Sequence, residues 1–275
     1  MKTPGHFDAR WAAELAEFCA GSYAEYAAME PGAATQVDSA LAADVALDCA
    51  CVLHALGAPS HDVRIWIARA AYALGEVFRL RGTSAGVPTV VMTEEGAVER
   101  TVPGGQDNSL TNSRRGLVAM YTALTAGDSE LAERTAGLVG DPPGASYLGP
   151  DSVVCTPDEQ QLAYALKALL LGQTAVAAFQ AAVPDSAPPA IRHQATAMQA
   201  MVGQNPQLFL DALDALLVTH GREAADIRHQ REPRYFLSLP ALGLAALAIT
   251  SGLVAEPQLP TGYGYFAPQL IRPGR

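Results

Sequence analysis

Ala123-Leu124-Thr125-Ala126-Gly127-Asp128-Ser129-Glu130-Leu131-Ala132 returns later in the chain as Ala168-Leu169-Leu170-Leu171-Gly172-Gln173-Thr174-Ala175-Val176-Ala177, with Ala136 and Ala181 at equivalent places. A weaker third copy is Met201-Val202-Gly203-Gln204-Asn205 followed by Leu208. Each copy reads as a helix stopped by Gly, a Ser, Thr or Asn cap, and a second helix turned back on the first. That unit is an αα-hairpin, and small Ala residues at the facing positions let its helices approach closely. Stacked hairpins predict a solenoid-like array with a concave surface. The copies are too few and too degenerate to name a tetratricopeptide array.

The helical pattern continues on both sides of the repeat. Asp8 to Met29 reads as a helix with Trp11, Leu15, Phe18, Ser22, Tyr26 and Met29 on one stripe. A second helix runs from Gln36 to Leu56 and stops at Gly57, and Pro59-Ser60 opens a third that reaches about Leu80. The third is apolar on several sides, so it belongs between neighbours. Gly82 to Gly105 breaks the helical period, and two β-rich runs flank Thr93-Glu94-Glu95-Gly96, which predicts a hairpin turn. Downstream, Asn205 to His220 is an amphipathic helix. Tyr235 to Ala255 carries no charge and is long enough to span a bilayer. It contains Pro240, Gly243 and Gly252, however, and much of the rest is Ala. A buried helix of about 12 residues after a Ser238 cap, with Pro240 in its first turn and an end near Gly252, fits it better. The predicted fold is therefore all-α: an αα-hairpin helical array with one small β-hairpin insertion. Residues 1–275 read as one helical domain, or as two lobes, 1–139 and 153–275, joined by 140–152, where Asp141-Pro142-Pro143-Gly144 marks a linker.

Composition narrows the functional classes. With 49% apolar and 17% charged residues the chain is a folded protein. A formal net charge of −10 argues against duplex nucleic acid as a direct ligand, since that needs clustered Lys and Arg. It suits a basic protein partner, and it also keeps the chain soluble. Cys19, Cys49, Cys51 and Cys155 are too sparse for a disulfide framework and point to a reducing, cytoplasmic compartment. The segment Met1-Lys2-Thr3-Pro4-Gly5-His6-Phe7-Asp8 lacks the apolar core of a signal peptide.

Candidate chemistry is thin. Cys49 and Cys51 point to different sides of a helix, so only Cys51 and His54 share a face, short of the four ligands of structural zinc. His54, His61 and Asp62 resemble part of a metal-dependent phosphohydrolase set, but Asp62 follows a Ser60 cap and suits the helix dipole. Asp211 with Asp214, and Asp44 with Asp48, read as solvated faces. His220 shares the apolar side of its helix with Phe209, Leu213 and Leu216 and reads as a core or helix-end histidine. A position near the helix C-terminus would favour its charged form. Tyr263 and Tyr265 read as anchors of the tail. Nucleophile elbows and phosphate-binding loops are absent. No metal or cofactor is expected.

Three segments follow one another near the end: the apolar helix closing at His220; Phe236, Leu239, Pro240, Leu242, Leu244, Ala245 and Leu247, then Gly252; and Tyr265, Pro268 and Leu270. Upstream stand Val87-Pro88-Thr89-Val90-Val91 with Ala97-Val98-Glu99-Arg100-Thr101-Val102, then Gly116 to Leu124 with Gly127-Asp128. In order and spacing these resemble the immunity 49 family of helical bacterial proteins encoded beside polymorphic toxins. Two features depart from it: Gly116 stands where a Trp is expected, and Gly221-Arg222-Glu223-Ala224 lacks an aromatic. The resemblance implies a non-catalytic inhibitor that neutralises a cognate toxin domain by occluding its active site. It makes His220, Pro240, Gly252, Tyr265 and Pro268 structural motif residues. The negative charge further suggests a basic, nuclease-like toxin, with Glu94, Glu95, Glu99, Asp211 and Asp214 as contact candidates. Two other readings stay open: a helical-repeat scaffold or sensor holding a peptide in its concave face, and a metal-dependent hydrolase built on His54, His61 and Asp62. Oligomeric state is not legible.

Overall fold

Short polar residues set the helix starts. Asp8, Thr35, Asn112, Asp128, Thr156 and Asn205 each accept a backbone N–H from the first turn of the helix that follows. Each bond satisfies a donor that has no partner inside the helix. The computed structural model describes residues 8–29, 35–81, 87–93, 96–102, 108–140 and 155–271. Among them the chain forms α1 (Ala9–Ala28), α2 (Gln36–Ala55), α3 (Ser60–Arg79), the strands β1 (Val87–Thr93) and β2 (Gly96–Val102), then α4 (Ser113–Thr125), α5 (Ser129–Leu138), α6 (Pro157–Leu170), α7 (Thr174–Gln180), α8 (Pro189–Val202), α9 (Pro206–Ala224) and α10 (Leu239–Thr250). The fold is all-α with one two-stranded antiparallel sheet. The linker candidates Asp141 to Gly144, and Glu94 and Glu95, lie outside the described residues.

The repeat folds as paired helices, α4 with α5, α6 with α7 and α8 with α9. Gly127 (φ 77°) and Gly172 (φ 70°) take the left-handed turn at the end of α4 and α6. Asp128 N–H and Gln173 N–H then reach back to the carbonyls of Ala123 and Ala168, which closes the helix ends. The third copy makes the same turn one residue later than its glycine suggests. Gln204, not Gly203, is left-handed (φ 49°), and Asn205 N–H bonds to Ala200 O at 2.9 Å. The expected caps also shift. Asp128 caps α5 in place of Ser129, Gln173 precedes α7 without a side-chain bond, and α3 starts from Pro59 with Ser60 already helical. Asp62 still sits in the first turn of α3, where a negative charge suits the helix dipole.

The units stack through α3, α4, α6 and α8, each touching the next. One face of this row is covered by the chain itself, because α10 lies across α4 and α8. α10 is apolar all round, and Leu242, Leu244, Ala241 and Ala245 are fully buried. It approaches α4 so closely that a Cβ on Gly243 would stand 2.8 Å from Tyr121 Cα and 2.6 Å from its ring. Tyr121 is itself buried and donates to Gln194 Oε1 of α8 at 2.9 Å. One contiguous apolar cluster runs from Ala12 of α1 to Ile271.

Two positions show how small residues steer the packing. The predicted stripe of α1 places Phe18 inward, whereas Ala12, Cys19, Tyr23 and Tyr26 are buried and Phe18 is 65% exposed. The small side chains let α1 lie close on α2, which turns Phe18 outward. Gly116, where the resemblance predicts a Trp, has Val139 and Phe78 in that space, and an added Cβ would meet Val139 Cγ2 at 2.8 Å.

Gly243→Ala is expected to destabilise the protein by about 1–3 kcal/mol, since the methyl would meet the backbone of α4 and not a movable side-chain tip. Thermal unfolding measures it, and an unchanged midpoint would contradict the contact.

Candidate partner interface

The C-terminal motif residues lie together and hold the tail. Tyr265 Oη donates to the Leu217 carbonyl of α9 at 2.8 Å. Its hydroxyl occupies the space above Gly221, so a Cβ there would overlap it. Tyr263 Oη donates to Asp214 Oδ1 at 2.7 Å, and burial together with this carboxylate pushes the phenol up to about 12. Ser238 N–H donates to Tyr265 O at 2.8 Å, His54 Nε2 donates to Gly264 O at 2.8 Å, and Arg64 Nη1 donates to Gln269 O at 3.1 Å. The tail therefore joins α9, the start of α10, α2 and α3. Pro268 opens a 3-10 turn, and Gly252 takes the left-handed turn after α10 (φ 74°). Pro240 stands in the first turn of α10, but the Ser238 hydroxyl is buried without a hydrogen-bond partner, so Ser238 caps with its backbone alone.

His220 is not helix-terminal, because α9 continues to Ala224. Its ring lies 4.8 Å from that of Tyr265, and Nε2 donates to Tyr235 O at 3.1 Å. Burial outweighs this bond and lowers its pKa to about 4. The expected stabilisation of the charged form is overturned, since desolvation exceeds the helix-end effect. On α2, burial and then the neighbouring Asp44 raise Asp48 to about 6, while Asp44 itself pairs with Arg115 at 3.0 Å. That pair is more than a solvated face.

Of the contact candidates, Glu99 is exposed on β2, paired in register with Val90. Asp211 and Asp214 are exposed on α9, Asp211 accepting from Gln207 Nε2 at 2.9 Å and Asp214 from the tail. Cys49 and Cys51 are both buried, and all four cysteines are free thiols. His54 is engaged with Gly264. Among the described residues no three His, Cys, Asp or Glu side chains come together as a metal-ion site. No helix among them is long and apolar enough to cross a membrane.

Two grooves flank the β-hairpin where it lies on α3 and α1. One, of about 480 Å³, is lined by Asp62, Arg64, Ile65, Trp66, Arg69 and Met92. The other, of about 380 Å³, runs along α1 past Tyr23, Ala24 and Ala27 to Val98. Trp66, Arg69 and Thr93 line both. Arg69 is 6% exposed, the one Arg, Lys, Asp or Glu buried so deeply among the described residues. Its guanidinium stacks 4.3 Å from the Trp66 ring and 5.1 Å from the Tyr23 ring. Sequence reasoning missed this trio. The available signal was a cation three residues after Trp66, on the same face of an otherwise apolar helix. A third cleft of about 440 Å³ lies beside His220, and there the cations are paired, Arg114 with Glu159 at 2.7 Å and Arg234 with Glu232 at 2.5 Å.

The fold is thus a helical array closed by its own tail, with grooves around a surface hairpin. Residues 59–263 match the family model Immunity protein 49, and the chain belongs to that family. The match takes in α3, the hairpin and everything to Tyr263, while α1 and α2 precede it. No curated protein and no solved structure matches the chain.

His220 and Asp48 act on stability in opposite senses. His220 titrates in the fold at about 4, below the ~6.5 of a free imidazole. Its contribution is complete above the free value and is lost as pH falls through 4. Asp48 titrates at about 6, above an unfolded carboxylate, so folding gains as pH falls below 6. Asp48→Asn should therefore raise stability at neutral pH and steepen its loss on acidification, and His220→Gln should flatten that loss. Urea unfolding at neutral pH and near the Asp48 midpoint measures both. A stability difference from wild type that does not change with pH would contradict the assignment.

Proposed function

We propose that this protein is the immunity partner of a polymorphic toxin and neutralises the toxin domain by covering its active site. The observation that carries the reading is the family match over residues 59–263. Inhibition of this kind needs a complementary surface with a few buried anchors, and no reacting groups. The packing of α10 across α4 and α8 counts against the scaffold reading, because that face already holds a helix of the same chain. The engagement of His54 with the tail carbonyl counts against a hydrolase built on it.

The net charge of −10 supports a basic toxin, nuclease-like in charge, met in the cytoplasm, where free thiols such as the four buried here persist. Complementary potentials would speed encounter and make association salt-sensitive. Glu99, Asp211 and Asp214 are the exposed members of the acidic set among the described residues, and Glu94 and Glu95 follow β1 in the sequence. Asp214 is shared with the tail through Tyr263, so its substitution would disturb α9 as well. We take residues 1–275 to act as one domain, on the strength of the continuous apolar cluster.

The test is calorimetric binding to the toxin domain encoded beside this chain, at low and high salt. Tight binding that blocks toxin activity, and that weakens several-fold with salt or with Glu99→Lys and Asp211→Lys together, is expected. Absence of binding would contradict the immunity reading. Binding indifferent to salt and to both substitutions would remove the acidic-surface part of it.

A further inference from the structure

We propose that the paired grooves at the β-hairpin form an anchor site, in which Arg69 receives the carboxylate of an Asp or Glu side chain from the toxin. This rests on the immunity reading for the partner's identity, while the chemistry of the site stands on its own geometry.

A buried charge is costly unless it is paired. Arg69 has no ion pair and no hydrogen bond among the described residues, and its Nε is buried without a partner. The rings of Trp66 and Tyr23 hold the guanidinium plane and contribute cation–π attraction, but they leave the buried Nε–H without an acceptor among the described residues. The nearby Cys49 thiol is pushed up to about 12, chiefly by burial, so it supplies no counter-charge. The planar fork matches a carboxylate through two parallel bonds. Apolar walls from Ile65, Met92 and Val98 would exclude water from such a pair and seat the neighbouring side chains of the incoming segment.

Charge selects a carboxylate over a phosphate. Arg64 also lines the first groove, and its Nε is likewise buried without a partner, but Nη1 is turned to the tail carbonyl of Gln269. Asp62 lines the same groove and repels a dianion more than a monoanion. The wall from α3 and the hairpin falls inside the family match, whereas Tyr23 and the alanines of α1 fall before it. The groove thus joins a shared wall to one outside the matched segment, an arrangement suited to partner choice.

Two arms test this. In the first, the Arg69 Nε–H resonance is followed by NMR during titration with the peptides Ac-Leu-Glu-Leu-NH2 and Ac-Leu-Gln-Leu-NH2, and with inorganic phosphate, each to millimolar concentration. A shift with the Glu peptide, and at least about tenfold weaker responses to the other two, is expected. No shift, or a stronger response to phosphate, overturns the site. In the second, toxin binding is compared for wild type, Arg69→Lys and Val98→Glu. Val98 is 42% exposed, so Val98→Glu offers Arg69 a carboxylate of its own without disturbing the core, and it remains informative if Arg69→Lys folds poorly. At least about tenfold weaker binding by Val98→Glu is expected. Unchanged toxin affinity overturns the anchor and leaves the immunity reading intact. Failure of wild type to bind toxin defeats the immunity reading, and with it the assignment of the anchor to a toxin side chain.

Discussion

The meeting of Gly243 with Tyr121 is the contact on which the rest of the arrangement depends. A helix as apolar as α10 must be buried on every side, and the space offered is the face of the α4–α8 row. Entry requires a backbone without a side chain at the crossing, which Gly243 supplies. It also requires that the buried Tyr121 hydroxyl be answered, which Gln194 of α8 does. Once α10 is seated, the α4–α8 face of the row is covered by the same chain. That face is core, and the surfaces left for a partner lie elsewhere.

The tail extends the same logic. Tyr263, Tyr265 and Gly264 tie the C-terminal segment to α9 and α2, and Gln269 ties it to α3. The tail residues Tyr263, Gly264 and Tyr265 are therefore occupied within the molecule. His220 is held as a neutral donor to Tyr235 by its burial, a structural state and not that of a base facing solvent.

The helices, the hairpin and the buried character of α10 were legible because each follows from local periodicity and turn residues. Gly127, Gly172 and Gly252 marked helix ends by the conformation they permit. Gln204 was not legible as a left-handed residue, since nothing local demands it. Phe18 was misplaced because hydrophobicity alone does not say which face a helix rich in small residues presents. The crossing of α10 over α4 and the gathering of Tyr23, Trp66 and Arg69 depend on tertiary packing between distant segments. Single-sequence periodicity carries no record of such contacts. Charge alone marks the acidic candidates, whereas the groove is marked by Arg69, a buried cation without an ion pair or hydrogen bond among the described residues.

In the proposed complex a toxin domain would dock on the α1, α3 and β-hairpin side of this molecule while α10 stays sealed. Hydrogen–deuterium exchange, compared for the free protein and its complex with the toxin domain, measures this most directly. Slowed exchange is predicted along α1, the exposed turns of α3 and β2, with α10 equally protected in both states. Protection confined to α5, α7 and α9, or an α10 that opens on binding, would contradict it.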